Sequence, residues 1–453
     1  MKKVLFFILL VISLTGFSSE EISDVITIEL QKECYLAPIY IENTHAVSTE
    51  LSQDYLCELE NILRFNYDNN GRTRVMSQKD IGDGSYQQNR IAKEWQLFGV
   101  EYLFKLSLSG QYLTVSVLST RDDQICFAEE IKLSNNFDQD RLGLHKCSQN
   151  IHQALFDERG IYLAKILYTL KTNKSLFPNQ PWISEVYQCD WDGGCVKQMT
   201  NENNYCVTPS YLKTEGRGAD ESFFYVSYEI GQPKIYWSDF SGTVKKRLTH
   251  LRGNQLMPAV SPKGNQVAFI NDAPGNPELF VQDFKPRVGA VGKPRQIFSC
   301  KRGVQASPTY SPDGKRIAFV SNKDGSPNIY VLRIPREGAS QKDNKPYLIS
   351  KVNRENTRPA WSPDGTKLAY ISRVEGVRQV WIYDFNTQKE WQLTYGPGNK
   401  ENPVWAFNSL HLAFNSVGNA SCELYLVNLN QPKAVRIKPS KGLKRFPVWV
   451  DHK

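Results

Sequence analysis

The sequence predicts a multidomain protein, with a small N-terminal α/β domain followed by a six-bladed all-β propeller that its C-terminal strand closes. Three observations predict this architecture. A four-strand pattern recurs six times after residue 157, at intervals of 44 to 51 residues, and such a period is typical of propeller blades. The copies of the first strand are displaced by one blade, so the last copy stands alone at the C-terminus. Residues 20–157 carry no such repeat.

The first 19 residues have the pattern of a secretory signal peptide. Lys2 and Lys3 precede an apolar run, Val4–Leu14, and small residues follow it. Such a segment predicts export and cleavage, and the run is too short to span a bilayer comfortably. The alternative is an uncleaved anchor. No later stretch approaches 18 uninterrupted apolar residues, so direct membrane insertion is not expected.

Composition narrows the class of protein further. The chain has 453 residues, enough for two domains. Its formal charge of +8 becomes +6 without the two signal lysines, and basic and acidic residues are interspersed, which argues against nucleic-acid binding. Nine cysteines cannot all pair within the chain. Cys189 and Cys195 flank a turn and could form a disulfide across a hairpin. Sequence spacing alone does not decide whether this disulfide forms.

Between residues 20 and 157 the spacing of apolar residues changes several times between the helical pattern and the alternating pattern of strands. These changes predict an N-terminal domain that contains both helices and strands. A helix packed on a small mixed sheet would bury its apolar faces. In chain order we expect a strand at 34–41, helices around 51–63 and at 91–97, strands at 102–108, 112–118 and 125–133, and a closing helix at 138–157.

Residues 158–453 predict the propeller, because each of its four strand types occurs six times. Turns such as Ser311-Pro-Asp-Gly connect first and second strands, and third strands carry an aliphatic–aromatic pair. The first blade has no first strand of its own, so we expect 447–450 to supply it and to remove two exposed sheet edges. Each first strand is expected to begin with a proline: Pro209, Pro258, Pro308, Pro359, Pro403 and Pro447.

Catalytic and metal motifs are missing from the sequence. Gly338–Lys342 lacks the closing glycine of a G-x-S-x-G elbow, and Gly292-Lys293 lacks the first glycine of a phosphate loop. His145 and His152 share a helix face, and Asp190-x-Asp192-Gly resembles half a calcium loop. We interpret these as partnered or solvent-facing histidines and a hairpin turn. We therefore expect no catalytic residue, no cofactor and no metal.

The loops that lead into the first strands converge on one mouth of the channel. They are rich in Asn, Gln, Arg and Lys, and their large apolar residues are Leu256, Met257 and Phe446. A concave polar surface with few apolar anchors suits a protein or peptide partner, although ordinary solvated loops have the same composition. An alternative of another class is an exported propeller enzyme, peptidase-related or a lyase, that acts at the central channel.

The repeat, with its Ser-Pro-Asp-Gly turns and Leu-Ala-Tyr strands, resembles the WD40-like (PD40) repeats of bacterial propellers. Taken with the export signal, the α/β domain and the Phe446-Pro-Val-Trp closure, the mature chain resembles the TolB family of the Tol–Pal envelope system. Segments 40–43, 95–102 and 184–193 fit the same family. The resemblance covers nearly the whole mature chain.

That resemblance implies a non-enzymatic, monomeric periplasmic adaptor that supports outer-membrane integrity, cell division and protein import. The mouth would bind the lipoprotein Pal just ahead of the blade prolines, and an N-terminal strand would bind the inner-membrane protein TolA. Residues 21–30 alternate apolar and polar side chains, including Val25, Ile26 and Ile28, which suits addition to a partner's sheet edge. Departures from the family are the types of mouth residue, an extra loop at 214–221 and the number of cysteines. The implied Pal contacts are Asn254, Met257, Ser307, Thr357 and Arg358.

Overall fold

A six-stranded mixed sheet with helices packed against it forms the N-terminal domain. The computed structural model describes residues 34–47, 49–81, 91–173, 182–213, 221–335, 345–437 and 439–451. The sheet order is β3-β1-β4-β5-β6, and β2 pairs with β4. In chain order these described elements are β1 (Ala37–Ile41), β2 (His45–Val47), α1 (Gln53–Asp68), β3 (Thr73–Val75), a 3-10 turn (Gln78–Ile81), α2 (Ala92–Leu97), β4 (Tyr102–Ser109), β5 (Tyr112–Ser119), β6 (Gln124–Lys132) and α3 (Phe137–Phe156).

Local sequence accounts for most of this domain. The Ser52 hydroxyl accepts a hydrogen bond from the Tyr55 N–H and caps α1. The apolar residues Leu56, Leu59 and Leu63 are buried, as the helical spacing predicts. The strands β2 and β3 were not predicted, because three residues are too short to show an alternating pattern.

The propeller has six four-stranded blades in the described part of the chain, as predicted. Each blade runs from an inner strand at the channel to an outer edge strand. Blade 1 comprises Leu443–Val450, Lys165–Thr172, Ile183–Asp190 and Lys197–Gln198; blade 2 Cys206–Leu212, Ser222–Ser227, Lys234–Asp239 and Lys245–Arg247; blade 3 Gln255–Val260, Gln266–Asn271, Glu278–Lys285 and Gly289–Phe298; blade 4 Gln305–Tyr310, Arg316–Ser321, Asn328–Arg333 and Tyr347–Leu348; blade 5 Asn356–Trp361, Lys367–Val374, Val377–Asp384 and Glu390–Gln392; and blade 6 Asn399–Trp405, His411–Val417, Cys422–Asn428 and Val435–Ile437.

The C-terminal strand closes the ring, as its displacement in the sequence predicts. Leu443–Val450 pairs antiparallel with Lys165–Thr172, and Val448 lies opposite Leu167. Trp449 is 7% exposed, and its indole N–H donates to the Val404 carbonyl of blade 6 at 3.2 Å. The first and last segments of the propeller are therefore held in one sheet.

The prediction that first strands begin with proline was wrong. Each inner strand begins three or four residues before its proline. The register shifts at the proline in every blade, as between Leu256 and Ala259 in blade 3. A proline has no N–H to donate to the ladder, so within a strand it is tolerated where a bulge interrupts the pairing.

The N-terminal domain and the propeller pack into one compact unit from Tyr35 onwards. One hydrophobic cluster includes Tyr67 of α1, Trp191 of blade 1 and Leu426 of blade 6. The His411 Nε2 also lies 2.9 Å from the Asn69 carbonyl oxygen. A domain boundary at residue 157 stays a prediction. Within the described residues, no helix has the length and hydrophobicity that crossing a membrane requires. The predicted signal peptide lies outside those residues.

Candidate functional site

The residue before each blade proline has a left-handed backbone. A positive φ is uncommon for residues other than glycine, and a residue before proline is normally extended. The bulge in each inner strand imposes the same conformation in all six blades. The φ angles are 50° at Thr208, 55° at Met257, 48° at Ser307, 53° at Arg358, 53° at Asn402 and 54° at Phe446. We call these six residues the pre-proline ring.

The pre-proline ring and its prolines line the central channel. On the side of blades 3 to 6 and of the C-terminal strand, the channel opens into a cavity of about 280 Å³, which we call the mouth cavity. Its wall is formed by Met257, Ala306, Ser307, Val320, Thr357, Arg358, Ile371, Arg378, Glu401, Asn402 and Phe446. Apolar and polar groups therefore alternate around one small concave surface.

Contacts within one blade and between different blades hold the pre-proline ring. The Ser307 N–H donates to the Met257 Sδ at 3.2 Å, and the Ser307 Oγ lies 3.6 Å from the same sulfur. The Asn402 side chain donates to the Asn415 Oδ1 at 2.7 Å. The Arg358 guanidinium lies over the Phe446 ring, 5.4 Å from its centroid. Each of these pairs positions a side chain toward the mouth cavity.

The two arginines of the mouth cavity differ in whether a carboxylate pairs with them. Arg378 Nη2 lies 3.1 Å from Glu401 Oε1, and these two groups form an ion pair. Arg358 makes no ion pair or hydrogen bond within the part of the chain that the structure describes. Burial lowers the pKa of Arg358 below the usual arginine value, Glu401 opposes this, and the like charge of Arg378 adds to it. Arg358 is thus a partly buried cation without a counter-ion.

Buried lysines hold several of the loops that lead into the inner strands. Lys400 is 6% exposed, and its Nζ donates to three carbonyl oxygens of one loop. Burial lowers the pKa of Lys400. Lys234 and Lys444 cap the loops before blade 3 and the C-terminal strand in the same way. The carbonyl acceptors are those of Gly396, Pro397 and Gly398 for Lys400, Leu251 and Gly253 for Lys234, and Gly442 for Lys444.

The structure brings four of the five residues predicted at the mouth into one cavity. Met257, Ser307, Thr357 and Arg358 all line it, within inner strands rather than in the loops ahead of them. Asn254 lies in the preceding loop, where its amide donates to Asp272 at 2.6 Å. The predicted partner strand with Val25, Ile26 and Ile28 falls outside the described residues.

Three residues of the pre-proline ring were not among the predicted contacts: Thr208, Asn402 and Phe446. The proline period could have identified them, because each occupies the position equivalent to Met257 in its own blade. The sequence marks Phe446 as one of the apolar residues of the mouth, and the structure adds its contact with the Arg358 guanidinium.

The histidines and aspartates weighed as ligands are engaged in contacts within the protein. His145 Nε2 lies 3.5 Å from Asp192 Oδ2, so this histidine is partnered, which is one of the two interpretations that the sequence allows. Asp190, Asp192 and His145 could surround a cation, but the Arg141 guanidinium already binds both carboxylates. The segment 190–194 forms the expected turn. Cys189 and Cys195 are free thiols, so the disulfide left open by the spacing is not formed.

The mouth cavity has few titratable groups on its wall. The titratable groups on its wall are Arg358, Arg378 and Glu401, and two of these neutralise each other. The Ser307 hydroxyl faces a thioether, which is not a base that could activate it. A fixed guanidinium beside an aromatic ring and small polar groups is suited to recognising a side chain of another protein.

Comparison with known proteins agrees with this architecture. A family model described as the TolB beta propeller domain matches residues 152–453. A protein named "Protein TolB homolog" from Protochlamydia amoebophila (strain UWE25) is 44% identical over 404 residues, which cover 88% of this chain and 86% of that protein. A protein of the same name from Chlamydia felis (strain Fe/C-56) is 36% identical over 326 residues, or 71% of this chain and 73% of the relative.

A solved structure supports the fold independently. The crystal structure of TolB from Acinetobacter baumannii matches with a TM-score of 0.71 and 22% identity, over 92% of this chain and 97% of that one. At this identity the match speaks for the fold alone, whereas the family model and the relatives are matches of sequence. The chain therefore belongs to the TolB family.

Proposed function

We propose that this chain is a non-enzymatic periplasmic adaptor of the Tol–Pal envelope system. Its mouth cavity binds the peptidoglycan-associated lipoprotein Pal, and its N-terminal strand binds TolA. The observation that carries the proposed binding of Pal is the mouth cavity. Four of the five expected contact residues line it, and one of the four is Arg358, which has no ion-pair partner among the described residues. The strained backbone of the pre-proline ring supports it, because strain of this kind concentrates at ligand-binding sites.

The second half of the proposal depends on the sequence pattern of residues 21–30 and on family membership. A strand of alternating side chains adds to an open sheet edge through main-chain hydrogen bonds. Pal in the mouth cavity would bias whether this strand is docked or free, and such coupling is reciprocal between the two partners. The adaptor acts as a monomer, is exported through cleavage near residue 19, and supports outer-membrane integrity, cell division and protein import.

Calorimetric binding of purified proteins tests the mouth. The mature chain is titrated with the soluble domain of the peptidoglycan-associated lipoprotein of the same organism. Ser307→Trp fills the mouth cavity and should weaken binding at least about tenfold, since bulk replaces a small side chain at the centre of the contact. Lys263→Trp is the matched control, because it lies in the turn between strands one and two, at the opposite end of blade 3. A chain that binds no lipoprotein but turns over peptides or sugars would be the enzyme of the alternative hypothesis.

Two further measurements separate the other parts of the proposal. Deletion of residues 20–30 should abolish binding of TolA while leaving Pal affinity intact; unchanged TolA binding would refute the strand's role. Mass spectrometry of the protein from a periplasmic extract should give a mature N-terminus near residue 20. Recovery of the full-length chain from the membrane fraction would support an uncleaved anchor.

A further inference from the structure

The two arginines of the mouth cavity differ in their surroundings. The Arg378 guanidinium is paired with a carboxylate, since its Nη2 lies 3.1 Å from Glu401 Oε1. Arg358 has no such partner among the described residues, although both arginines border the same cavity. An unpaired cation that is partly removed from water costs free energy, which a bound anion would recover.

Phe446 is the aromatic neighbour of the Arg358 guanidinium. The Arg358 Cζ lies over the Phe446 ring, 5.4 Å from its centroid, a favourable cation–π contact. A contact with the face of a ring gives the guanidinium N–H groups no oxygen acceptor, so they remain available to donate to a ligand. Ser307, Thr357 and Asn402 line the same cavity and carry neutral polar side chains.

The charge balance of the mouth cavity favours a monoanion. Two arginines and one glutamate line it, which gives 2 − 1 = +1. A single carboxylate brings this sum to zero, whereas a phosphate dianion would leave an excess negative charge in a small cavity. The small volume of about 280 Å³ also suits a side chain that projects from a folded partner.

We propose that Arg358 is the anchor for an aspartate or glutamate side chain on a loop of the partner that enters the mouth cavity. The carboxylate binds the guanidinium with two parallel N–H···O bonds, a geometry that arginine provides and lysine does not. Arg358 then determines specificity, since a partner without an acidic residue at this place leaves the cation unpaired. This inference rests on the proposed function, because it names the chemistry by which the same cavity recognises Pal.

Affinity measurements with three variants test the anchor. The soluble lipoprotein domain is titrated into the wild-type chain, Arg358→Gln, Arg358→Lys and Lys263→Gln. Loss of one partner of a desolvated charge pair should weaken binding by Arg358→Gln at least ~30-fold, with an intermediate loss for Arg358→Lys. Lys263→Gln removes the same charge from the opposite end of the propeller and should bind within about twofold of wild type. Wild-type binding by Arg358→Gln would overturn the anchor while leaving the adaptor function standing.

A double-mutant cycle locates the partner's carboxylate. Exposed Asp and Glu residues of the lipoprotein domain are changed one at a time to Asn and Gln and are measured against wild type and Arg358→Gln. One of them should weaken wild-type binding strongly and Arg358→Gln binding hardly at all, because the two groups form one interaction. Additive losses at every acidic position would contradict the proposal.

The anchor is also testable if the wild-type chain binds no lipoprotein, in which case the proposed function fails. Protein with isotope-labelled arginine is titrated with the neutral-ended probe acetyl-aspartate methylamide and is observed by NMR. The Arg358 side-chain resonance, assigned by its absence in Arg358→Gln, should shift, and acetyl-asparagine methylamide should not move it. No shift would overturn the anchor. A response to N-acetylglycine alone would instead indicate a terminal carboxylate and contradict the side-chain assignment.

Discussion

The Arg141 guanidinium, on α3 of the N-terminal domain, binds the carboxylate of Asp192 in the turn between the third and fourth strands of blade 1. Both side chains are less than 10% exposed, and Arg141 also contacts Asp190 at 3.4 Å. The glycine at 194 makes room for this contact, because a Cβ there would lie 2.1 Å from the guanidinium. The pair therefore connects the two parts of the protein in a buried setting.

Asp192→Asn should destabilise the protein by about 3 kcal/mol at pH 7, because it leaves the buried Arg141 with only the more distant carboxylate of Asp190. Burial opposes ionisation of Asp192, but the hydrogen bond from His145 and the charges of His145 and Arg141 outweigh it and lower the pKa of Asp192 well below its usual value. A folded-state pKa below the unfolded value stabilises the protein at neutral pH. This stabilisation declines as the pH falls below about 4 and is lost as the pH passes through the folded-state pKa.

Urea unfolding at pH 7 and pH 3 measures this effect. The stability difference between wild type and Asp192→Asn should be smaller at pH 3. Asp324→Asn, at the exposed Lys323–Asp324 pair, is the control and should change stability little at either pH. An Asp192→Asn difference that does not change with pH would show that the carboxylate's charge contributes nothing.

His411 should make the protein sensitive to mild acid. Burial lowers the pKa of His411 to about 4 from 6.5, although its hydrogen bond with the Asn69 carbonyl opposes this. The folded protein therefore takes up its proton later than the unfolded chain, and stability falls as the pH drops from about 6.5 toward 4. Between pH 7 and pH 5 the loss from this group should be roughly 2 kcal/mol.

Unfolding curves of His411→Gln test this dependence on pH. Glutamine retains an N–H for the Asn69 carbonyl but does not titrate, so wild type should lose more stability between pH 7 and pH 5 than the variant does. His250→Gln changes an exposed histidine and should follow wild type. Parallel curves for wild type and His411→Gln would contradict the prediction.

Truncation after Arg445 should abolish cooperative unfolding of the propeller. It removes Trp449 and Val450, which are 7% and 0% exposed, together with their pairing to blade 1. Each buried large side chain contributes about 2–5 kcal/mol, so the loss is comparable with the whole stability of a domain, roughly 5–15 kcal/mol. Thermal melting and limited proteolysis measure it. A chain that ends at Asp451 keeps these contacts and serves as control; equal melting of both truncations would refute closure by this strand.

Thr208→Gly should leave stability unchanged or raise it by up to about 1 kcal/mol. Its φ of 50° is strained for a β-branched residue, and a left-handed conformation costs about 1–2 kcal/mol outside glycine. The greater freedom of glycine in the unfolded chain offsets part of that relief. Ser210→Gly, two residues along the same strand, has no such strain to relieve and should destabilise the protein. Equal destabilisation by both variants in urea unfolding would show that the ring residue is unstrained.

Much of the fold follows from local sequence. The six sets of strands and the displaced first strand predict both the number of blades and the closure by a C-terminal strand, predicted at 447–450, because strand period and turn residues act over a few positions. The same local signals miss β2 and β3, and they place the inner strands too late, because a register shift depends on the partner strand.

The candidate site was predictable to a smaller extent. The proline period and the family resemblance point to Met257, Ser307, Thr357 and Arg358, and all four border the mouth cavity. Sequence spacing gives no indication that Arg358 would contact Phe446, which belongs to blade 1 and reaches blade 5 only around the closed ring. Nor does sequence spacing distinguish Arg378, which pairs with Glu401, from Arg358, which pairs with no carboxylate among the described residues.

Residue order alone thus sets the blade count and the ring closure, since both follow from how many copies of each strand type the chain contains and in which order they occur. The tertiary structure sets which pre-proline side chains share a cavity and which charges stay unpaired. Those properties arise from contacts between residues in different blades, and the left-handed backbone before each proline is held by the inner-strand bulge rather than by the preference of the residue itself.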